Sequence, residues 1–177
     1  AVESELMVAR LRAGPLSVPF RSRGAQGVPG EATAATLRVL GRDKARLEVA
    51  AESTETVVEL SGRHAEILLM LAVHRRGVSA ERLADLVYGE SASADTVRPE
   101  MVRLRKVLER VSPSLAPESR PYRIPIALDT DAHHVVSLLD RGAHRVALSS
   151  YSGPVLPESQ APGVEEYREN VTGALRE

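Results

Sequence analysis

The stretch "TVRPEMVRLRKVLERV", residues 96–111, decides the fold that this sequence predicts. On a helix, its apolar side chains fall on a single stripe, because their spacing follows the helical period. The stripe consists of Val97, Met101, Leu104 and Leu108. Five basic side chains lie outside it: Arg98, Arg103, Arg105, Lys106 and Arg110. The pattern predicts a helix that packs through one side and presents basic groups on the other.

Pro99 limits where this helix can begin. Proline lacks the amide hydrogen that a helix interior needs, and it is best accommodated in the first turn, where that amide would have no partner. We therefore expect the N-cap near Asp95, Thr96 or Arg98.

The composition limits the kinds of site that the chain can build. Its 177 residues are 43% hydrophobic, which is enough for the core of one domain or two small ones. Aromatic residues make up only 3%, which argues against single-strand nucleic-acid binding by base stacking. Cysteine is absent, so disulfides and thiolate metal sites are excluded. The longest apolar run, within residues 66–73, is far shorter than the ~20 residues of a membrane span. We expect a cytoplasmic protein without membrane contact.

Charge is distributed unevenly along the chain, although the formal net charge is only −1. Residues 61–126 carry 11 basic and 8 acidic groups, whereas residues 127–177 carry 4 basic and 8 acidic groups. The basic middle favours an anionic partner, and the acidic end favours a second functional surface.

The order of elements predicts an α+β fold. Residues 1–34, rich in Gly and Pro, are expected to be a linker or the end of a preceding domain. Alternating runs at residues 36–41, 45–50 and 56–60 predict a small antiparallel sheet. Ser61 and Ser79 are the predicted N-caps of two helices. A hairpin over residues 120–126 should follow the helix of residues 96–111, with residues 122–128 as an edge strand.

This layout is that of a winged helix-turn-helix, predicted for residues 35–127, followed by a short all-α tail in residues 128–177. The third helix of such a domain fits the major groove of B-DNA, and the hairpin reaches the neighbouring backbone. The predicted base contacts are Arg98, Pro99, Val102 and Arg103. The predicted backbone and wing contacts are Thr96, Arg105, Lys106, Arg120 and Arg123.

The segment "TVRPEMVRLRKVL" resembles the recognition helix of OmpR/PhoB-type winged-helix DNA-binding domains, matching that pattern at Arg103, Leu104, Arg105 and Leu108. The resemblance covers about residues 36–126. The tail, with "SGPVLPES" at residues 152–159, resembles the start of the helical bacterial transcriptional activator domain. The combination is similar to the C-terminus of actinobacterial GAF-domain transcriptional regulators. Pro99, Glu100 and Val102 depart from the family, whose members often carry polar or basic residues there.

The resemblance implies a bacterial, cytoplasmic transcription regulator that binds double-stranded DNA. RNA polymerase or the protein's own upstream sensory domain would be its further partner. A homodimer on tandem or inverted sites would also be consistent with the family. The departures at Pro99, Glu100 and Val102 leave fewer polar groups for base contacts, so they affect sequence specificity more than DNA binding.

Two alternatives remain at this point. The chain could be a protein-interaction module, in which the winged helix and the acidic tail dock a partner without specific contacts to DNA bases. The segment "DTDAHH", residues 129–134, could be a metal site, but adjacent histidines on a helix point about 100° apart, so helix capping is favoured. We predict neither a catalytic residue, nor a cofactor, nor a metal site.

Overall fold

Three antiparallel strands begin the part of the chain, residues 31–177, that the computed structural model describes. They are β1 (Ala32–Arg38), β2 (Arg46–Ala51) and β3 (Glu55–Glu59). Leu37 of β1 pairs with Leu47 of β2, and both side chains are fully buried. On the other side of Leu47 lies Val58 of β3. The predicted antiparallel sheet, with one face in the core, is therefore confirmed.

Three helices follow the sheet in the predicted order: α1 (Gly62–Val73), α2 (Ala80–Tyr88) and α3 (Ala94–Val111). The hydroxyl of Ser61 accepts a hydrogen bond from the amide of His64, and Ser79 accepts one from Arg82. Both predicted N-caps are thus confirmed, and each satisfies an amide that the first helical turn leaves unpaired.

The fourth strand differs from the prediction. β4 (Ala127–Thr130) lies parallel to β1, which gives the strand order β3-β2-β1-β4. The hairpin predicted for residues 120–126 is reduced to isolated bridges, between Glu118 and Arg123 and between Val78 and Tyr122. Pro121 and Pro125 cannot donate to a strand ladder, so a longer ribbon cannot form there. We call residues 118–123 the 118–123 turn.

The tail packs onto the same core as the rest of the chain. It contains α4 (Asp131–Asp140), α5 (His144–Ser150) and α6 (Pro162–Arg176), and α6 lies mainly against α2. The boundary expected between residues 127 and 128 falls inside β4. Most of the expected linker lies outside the described residues, and its last residues, 32–34, belong to β1. The molecule is an α+β fold with one continuous core.

Asp131, at the start of α4, connects the tail to the sheet. Its two carboxylate oxygens accept hydrogen bonds from the amides of Val39, at 2.9 Å, and Leu40, at 3.2 Å. These two amides lie just beyond the end of β1, where no strand partner satisfies them. Burial raises the pKa of Asp131, and the hydrogen bonds from Val39 and Leu40 oppose this rise.

Replacing Asp131 by Ala should lower the free energy of unfolding at neutral pH by about 1–3 kcal/mol, because two buried amides lose their acceptor. The effect should depend on pH. A raised pKa means that the folded state binds the Asp131 proton more tightly than the unfolded chain. The part of its contribution that is linked to this proton is therefore full below the unfolded-state pKa and is lost as pH rises through the folded-state pKa, whereas the contribution of the two hydrogen bonds remains at neutral pH. The deficit of Asp131→Ala, measured by urea unfolding, should grow as the pH falls from neutral.

The control for this comparison is Asp140→Ala, at the exposed far end of the same helix. It should change the free energy of unfolding by no more than about 0.5 kcal/mol. Equal losses in the two variants would contradict the role assigned to Asp131.

Gly163, in the first turn of α6, lets this helix approach its neighbours closely. A Cβ built at this position would lie 2.6 Å from the sulfur of Met70 in α1 and 2.9 Å from a methyl carbon of Leu86 in α2. Both side chains are buried, so neither can move aside freely. Gly173, nearly three turns further on, has no atom within 4 Å of its Cβ position.

Gly163→Ala should therefore destabilise the protein by about 1–3 kcal/mol through overpacking. Gly173→Ala introduces the same methyl group into open space and should stabilise α6 by about 0.5–1 kcal/mol through helix propensity. Thermal or urea unfolding of both variants measures the difference. If Gly163→Ala were as stable as Gly173→Ala, the close contact between α6 and α2 would be wrong.

Candidate nucleic-acid interface

Helix α3 has one fully buried side and one exposed side. Val97, Met101, Leu104 and Leu108 are each at most 1% exposed, which confirms the predicted apolar stripe. The helix has 18 residues, so it is about 27 Å long at the standard rise per residue. Its outer side carries exposed side chains from Asp95 to Arg110.

The start of α3 differs from the prediction. The N-cap is Ser93, and the helix begins at Ala94, so Pro99 lies in the second turn rather than the first. The buried side chain of Ala94 extends the packed stripe by one turn ahead of Val97. Pro99 has no amide to donate to the carbonyl of Asp95, and the helix continues past it because the stripe on either side is packed. The side chain of Thr96, in the first turn, is exposed.

The two arginines predicted to contact bases are exposed and paired with carboxylates on their own helix. An Nη1 atom of Arg98 lies 2.8 Å from Asp95, and that of Arg103 lies 2.6 Å from Glu100. The side chains of Arg98 and Arg103 are 57% and 65% exposed. The acidic residue precedes the arginine by three positions in both pairs, so the spacing alone could have indicated them.

Pro99 and Val102 add an apolar strip to the exposed side of α3. Val102 is 49% exposed. Apolar groups at this position are able to contact the methyl group of thymine. They offer no hydrogen bond, so any polar base contact from this part of α3 must come from Arg98 or Arg103.

Arg105 and Lys106 have different environments, although they are adjacent and were both predicted as backbone contacts. Arg105 is half-buried, and its Nη2 donates to the carbonyl of Pro117 and to the hydroxyl of Ser119. It therefore fixes the 118–123 turn against α3. Lys106 is exposed and free to meet an anion. Arg110, one turn further, is also exposed and donates only to the carbonyl of Lys106 within the described residues.

The 118–123 turn lies beside the N-terminal part of α2 and forms a groove of about 760 Å³ with it. Arg98 and Arg120 line this groove, together with the first residues of α2, Ser79–Glu81. Arg120 is exposed at the tip of the turn, whereas Arg123 is paired with Glu118 at 2.8 Å. Arg120, a predicted wing contact, thus lines the same groove as Arg98, a predicted base contact.

The start of α2 was not among the predicted site residues. Ser79 could have been found, because its role as an N-cap places backbone amides at that end of the helix. Its proximity to Arg98 and Arg120 depends on the bridge between Val78 and Tyr122. That bridge connects residues far apart in sequence, and no local pattern predicts it.

The segment with Asp129, Asp131 and His133 uses its polar groups in other ways. Asp129 accepts from His133 at 2.8 Å and from Arg75 at 3.3 Å, while Asp131 faces β1. Among residues 31–177, no group of three or more His, Cys, Asp or Glu side chains is arranged to hold a metal ion. Within the same residues, no helix combines the length and apolar character needed to cross a membrane.

Comparison with known proteins identifies a relative in Rhodococcus erythropolis. The chain is 42% identical over 146 residues to a protein of Rhodococcus erythropolis described as an uncharacterized 47.3 kDa protein in the thcA 5′ region. The aligned part covers 81% of this chain and 31% of that protein, so the chain spans about a third of the relative's length. No protein-family model and no solved structure matches the chain. The relative's name states no activity, so the functional argument rests on α3 and its surroundings.

The difference between Arg105 and Lys106 can be tested with a pair of alanine variants. Arg105→Ala should lower the free energy of unfolding by about 1–2 kcal/mol, because the carbonyl of Pro117 loses a charged donor. Lys106→Ala should change it by no more than about 0.5 kcal/mol, since the side chain is exposed. Urea unfolding measures both. Equal stability of the two variants would mean that Arg105 does not hold the 118–123 turn.

Proposed function

We propose that this chain is the DNA-binding module of a bacterial transcription regulator of the OmpR/PhoB type, acting in the cytoplasm. Helix α3 would enter the major groove, and the 118–123 turn would act as a short wing. The observation that carries the proposal is the two-sided character of α3, with a fully buried apolar stripe opposite an exposed row of basic side chains. The exposed members of that row are Arg98, Arg103, Lys106 and Arg110.

The dimensions of α3 suit this role. A helix with its side chains is about 10–12 Å wide, and the major groove of B-DNA is about 12 Å wide. The exposed side of α3 carries Arg103 and Val102 near its middle, where a helix in the groove comes closest to the base edges. Arginine pairs with guanine O6 and N7, and valine contacts thymine methyl groups. These two positions are the main candidates for base contacts.

The groove between α2 and the 118–123 turn supports contacts to the DNA backbone. Arg98 and Arg120 face it from two sides, and the N-terminal end of α2 contributes partial positive charge. When a helix lies in the major groove, elements beside that helix are near the phosphates of the DNA backbone. Contacts to these phosphates fix the position of the protein on the duplex. Thr96 and Lys106 extend the same set of contacts along α3, and Arg123 would join them only after leaving Glu118.

The internal ion pairs do not prevent binding. Exposed ion pairs stabilise a protein by about 0.2–1 kcal/mol, and Arg98 and Arg103 are more than half exposed. A bidentate arginine–guanine contact discriminates by about 1–3 kcal/mol. The exchange of partners, or a sharing of the guanidinium between them, is therefore favourable at a matching site.

A second candidate function is docking of a protein partner by the tail. Val146 and Leu148 on α5 are 53% and 59% exposed, and exposed apolar side chains are able to contribute to a protein interface. The candidate partners for these side chains are RNA polymerase, an upstream domain of the same protein and a second copy of the chain. This function is compatible with DNA binding by α3, because α5 is a separate element.

The decisive experiment selects random duplex DNA with the purified chain and measures binding at two salt concentrations. We expect an enriched motif and an affinity that falls steeply with salt, as released counterions require. Arg103→Ala should lose about 1–3 kcal/mol of preference at one base pair of the motif. Lys106→Ala should weaken binding to all sequences similarly and reduce the salt slope by about one unit.

Arg141→Ala serves as the control, because Arg141 is exposed at the end of α4 in the tail. It removes the same charge and should leave both the motif and the salt slope nearly unchanged. Binding of protein partners without any salt-sensitive DNA signal would refute the proposal and favour the docking function.

A further inference from the structure

Glu100 lies between two basic partners on neighbouring helices. One carboxylate oxygen accepts a hydrogen bond from Arg103 of α3 at 2.6 Å. The other oxygen lies 3.8 Å from Nε2 of His64 in α1. The Glu100 side chain is only 19% exposed, and that of His64 only 14%. Glu100 is thus largely shielded from solvent between α1 and α3, with Arg103 as its hydrogen-bond partner, at the edge of the proposed interface.

The pairing uses only part of the Arg103 guanidinium. The hydrogen bond to Glu100 comes from Nη1, and the structure assigns no partner among residues 31–177 to Nε or Nη2. A guanidinium can donate two parallel hydrogen bonds from the Nε–Nη2 edge while Nη1 stays with a carboxylate. Arg103 can therefore keep its contact with Glu100 while it binds the O6 and N7 atoms of guanine.

The pair of Asp95 and Arg98 provides an instructive contrast. Asp95 is 88% exposed and Arg98 is 57% exposed, so water and salt compete with this ion pair and both side chains remain free to rotate. Glu100 lies 3.8 Å from His64 and is only 19% exposed, so it is largely shielded from solvent. Of the two arginines, Arg103 alone has a partly buried carboxylate that limits its orientation.

We propose that Glu100 is a positioning residue that sets sequence specificity: it orients Arg103 toward a G·C base pair and discourages its use as a phosphate contact. This inference rests on the proposed DNA-binding function. Orienting the guanidinium in advance reduces the conformational entropy that a bidentate contact would otherwise lose. The negative charge of Glu100 repels phosphates, so binding to arbitrary sequences is weakened.

The test compares Glu100→Ala with Glu109→Ala by selection of duplex DNA and by titration of a matched and a random duplex. Glu109 lies on the same helix, is exposed and has no ion pair among residues 31–177, so its replacement removes the same charge without affecting Arg103. Both variants should bind random duplex more tightly. Glu100→Ala alone should reduce the preference for G·C at the base pair that Arg103→Ala identifies, by roughly twofold to tenfold.

The preference at all other base pairs should stay unchanged in Glu100→Ala, which a general structural defect would not allow. Glu100→Gln serves as the second variant, because glutamine keeps an oxygen acceptor for Nη1 but carries no charge. It should bind random duplex as tightly as Glu100→Ala while retaining part of the G·C preference. Its more conservative shape also provides the measurement if Glu100→Ala fails to fold.

Several outcomes overturn the inference, and they are distinguishable from failure of the proposed function. If wild type selects a motif and Glu100→Ala matches Glu109→Ala at every base pair, Glu100 does not position Arg103, while DNA binding stands. If Arg103→Ala changes no base preference, Arg103 is not a base contact, and the inference fails with it. If wild type binds no duplex, both proposals fail together.

Discussion

The carboxylate of Asp131 is the contact on which the arrangement of the two halves of this chain depends. It joins the beginning of α4 to the end of β1 through the amides of Val39 and Leu40. The preceding residue, Thr130, caps α4 by accepting a hydrogen bond from the amide of His133 with its hydroxyl. Two consecutive side chains thus fix the beginning of α4 against the sheet.

The Asp131 contact lies directly after the parallel pairing of β4 with β1. A chain that leaves the 118–123 turn must return across the molecule before Asp131 can reach the end of β1. Its last four residues before α4 then run alongside β1 in the same direction, with Leu128 opposite Ala35. Parallel strands need a long connection, and here α1, α2 and α3 supply it. In chain order, the three helices therefore lie between two strands that are neighbours in the sheet.

Local periodicity was sufficient to predict much of this fold. The stripe of Val97, Met101, Leu104 and Leu108 and the caps at Ser61 and Ser79 follow from spacing and side-chain chemistry within one or two turns. The pairing of β4 with β1 could not be predicted in this way, because it joins segments about ninety residues apart.

The candidate site was less predictable than the fold, for a different reason. Sequence identifies which residues are basic, and the spacing of Glu100 and Arg103 indicates a local pair, but no local pattern indicates the contact of Arg105 with the carbonyl of Pro117. Arg105 is directed to the carbonyl of Pro117, and Arg103 is bound to Glu100, so the freely available positive charge of α3 is smaller than its composition indicates. The prediction that Pro99 lies in the first turn of α3 was wrong. The helix begins at Ala94, whose side chain is buried, and this adds a turn ahead of Pro99.

A small free charge has a consequence for how such a module would recognise DNA. Non-specific affinity depends on the number of phosphates neutralised, whereas discrimination depends on a few oriented contacts to bases. A surface with paired arginines would have a lower non-specific affinity but would keep its discrimination between bases. An ion pair within the protein restricts an arginine without removing all of its hydrogen-bond donors. The carboxylates on α3 are then compatible with the proposed DNA-binding role, and they would shift the balance of such binding from affinity toward selectivity.

The tail belongs to this interface indirectly, through α2. One side of α2 packs against α6, where Gly163 allows the backbone to approach Leu86, and its N-terminal end lines the groove with Arg98 and Arg120. A side of α2 also packs against α3. Because packed interiors resist small changes of volume, a shift of α6 cannot be absorbed without moving α2. Residues 128–177 are therefore part of the scaffold that fixes the distance between α3 and the flanking groove.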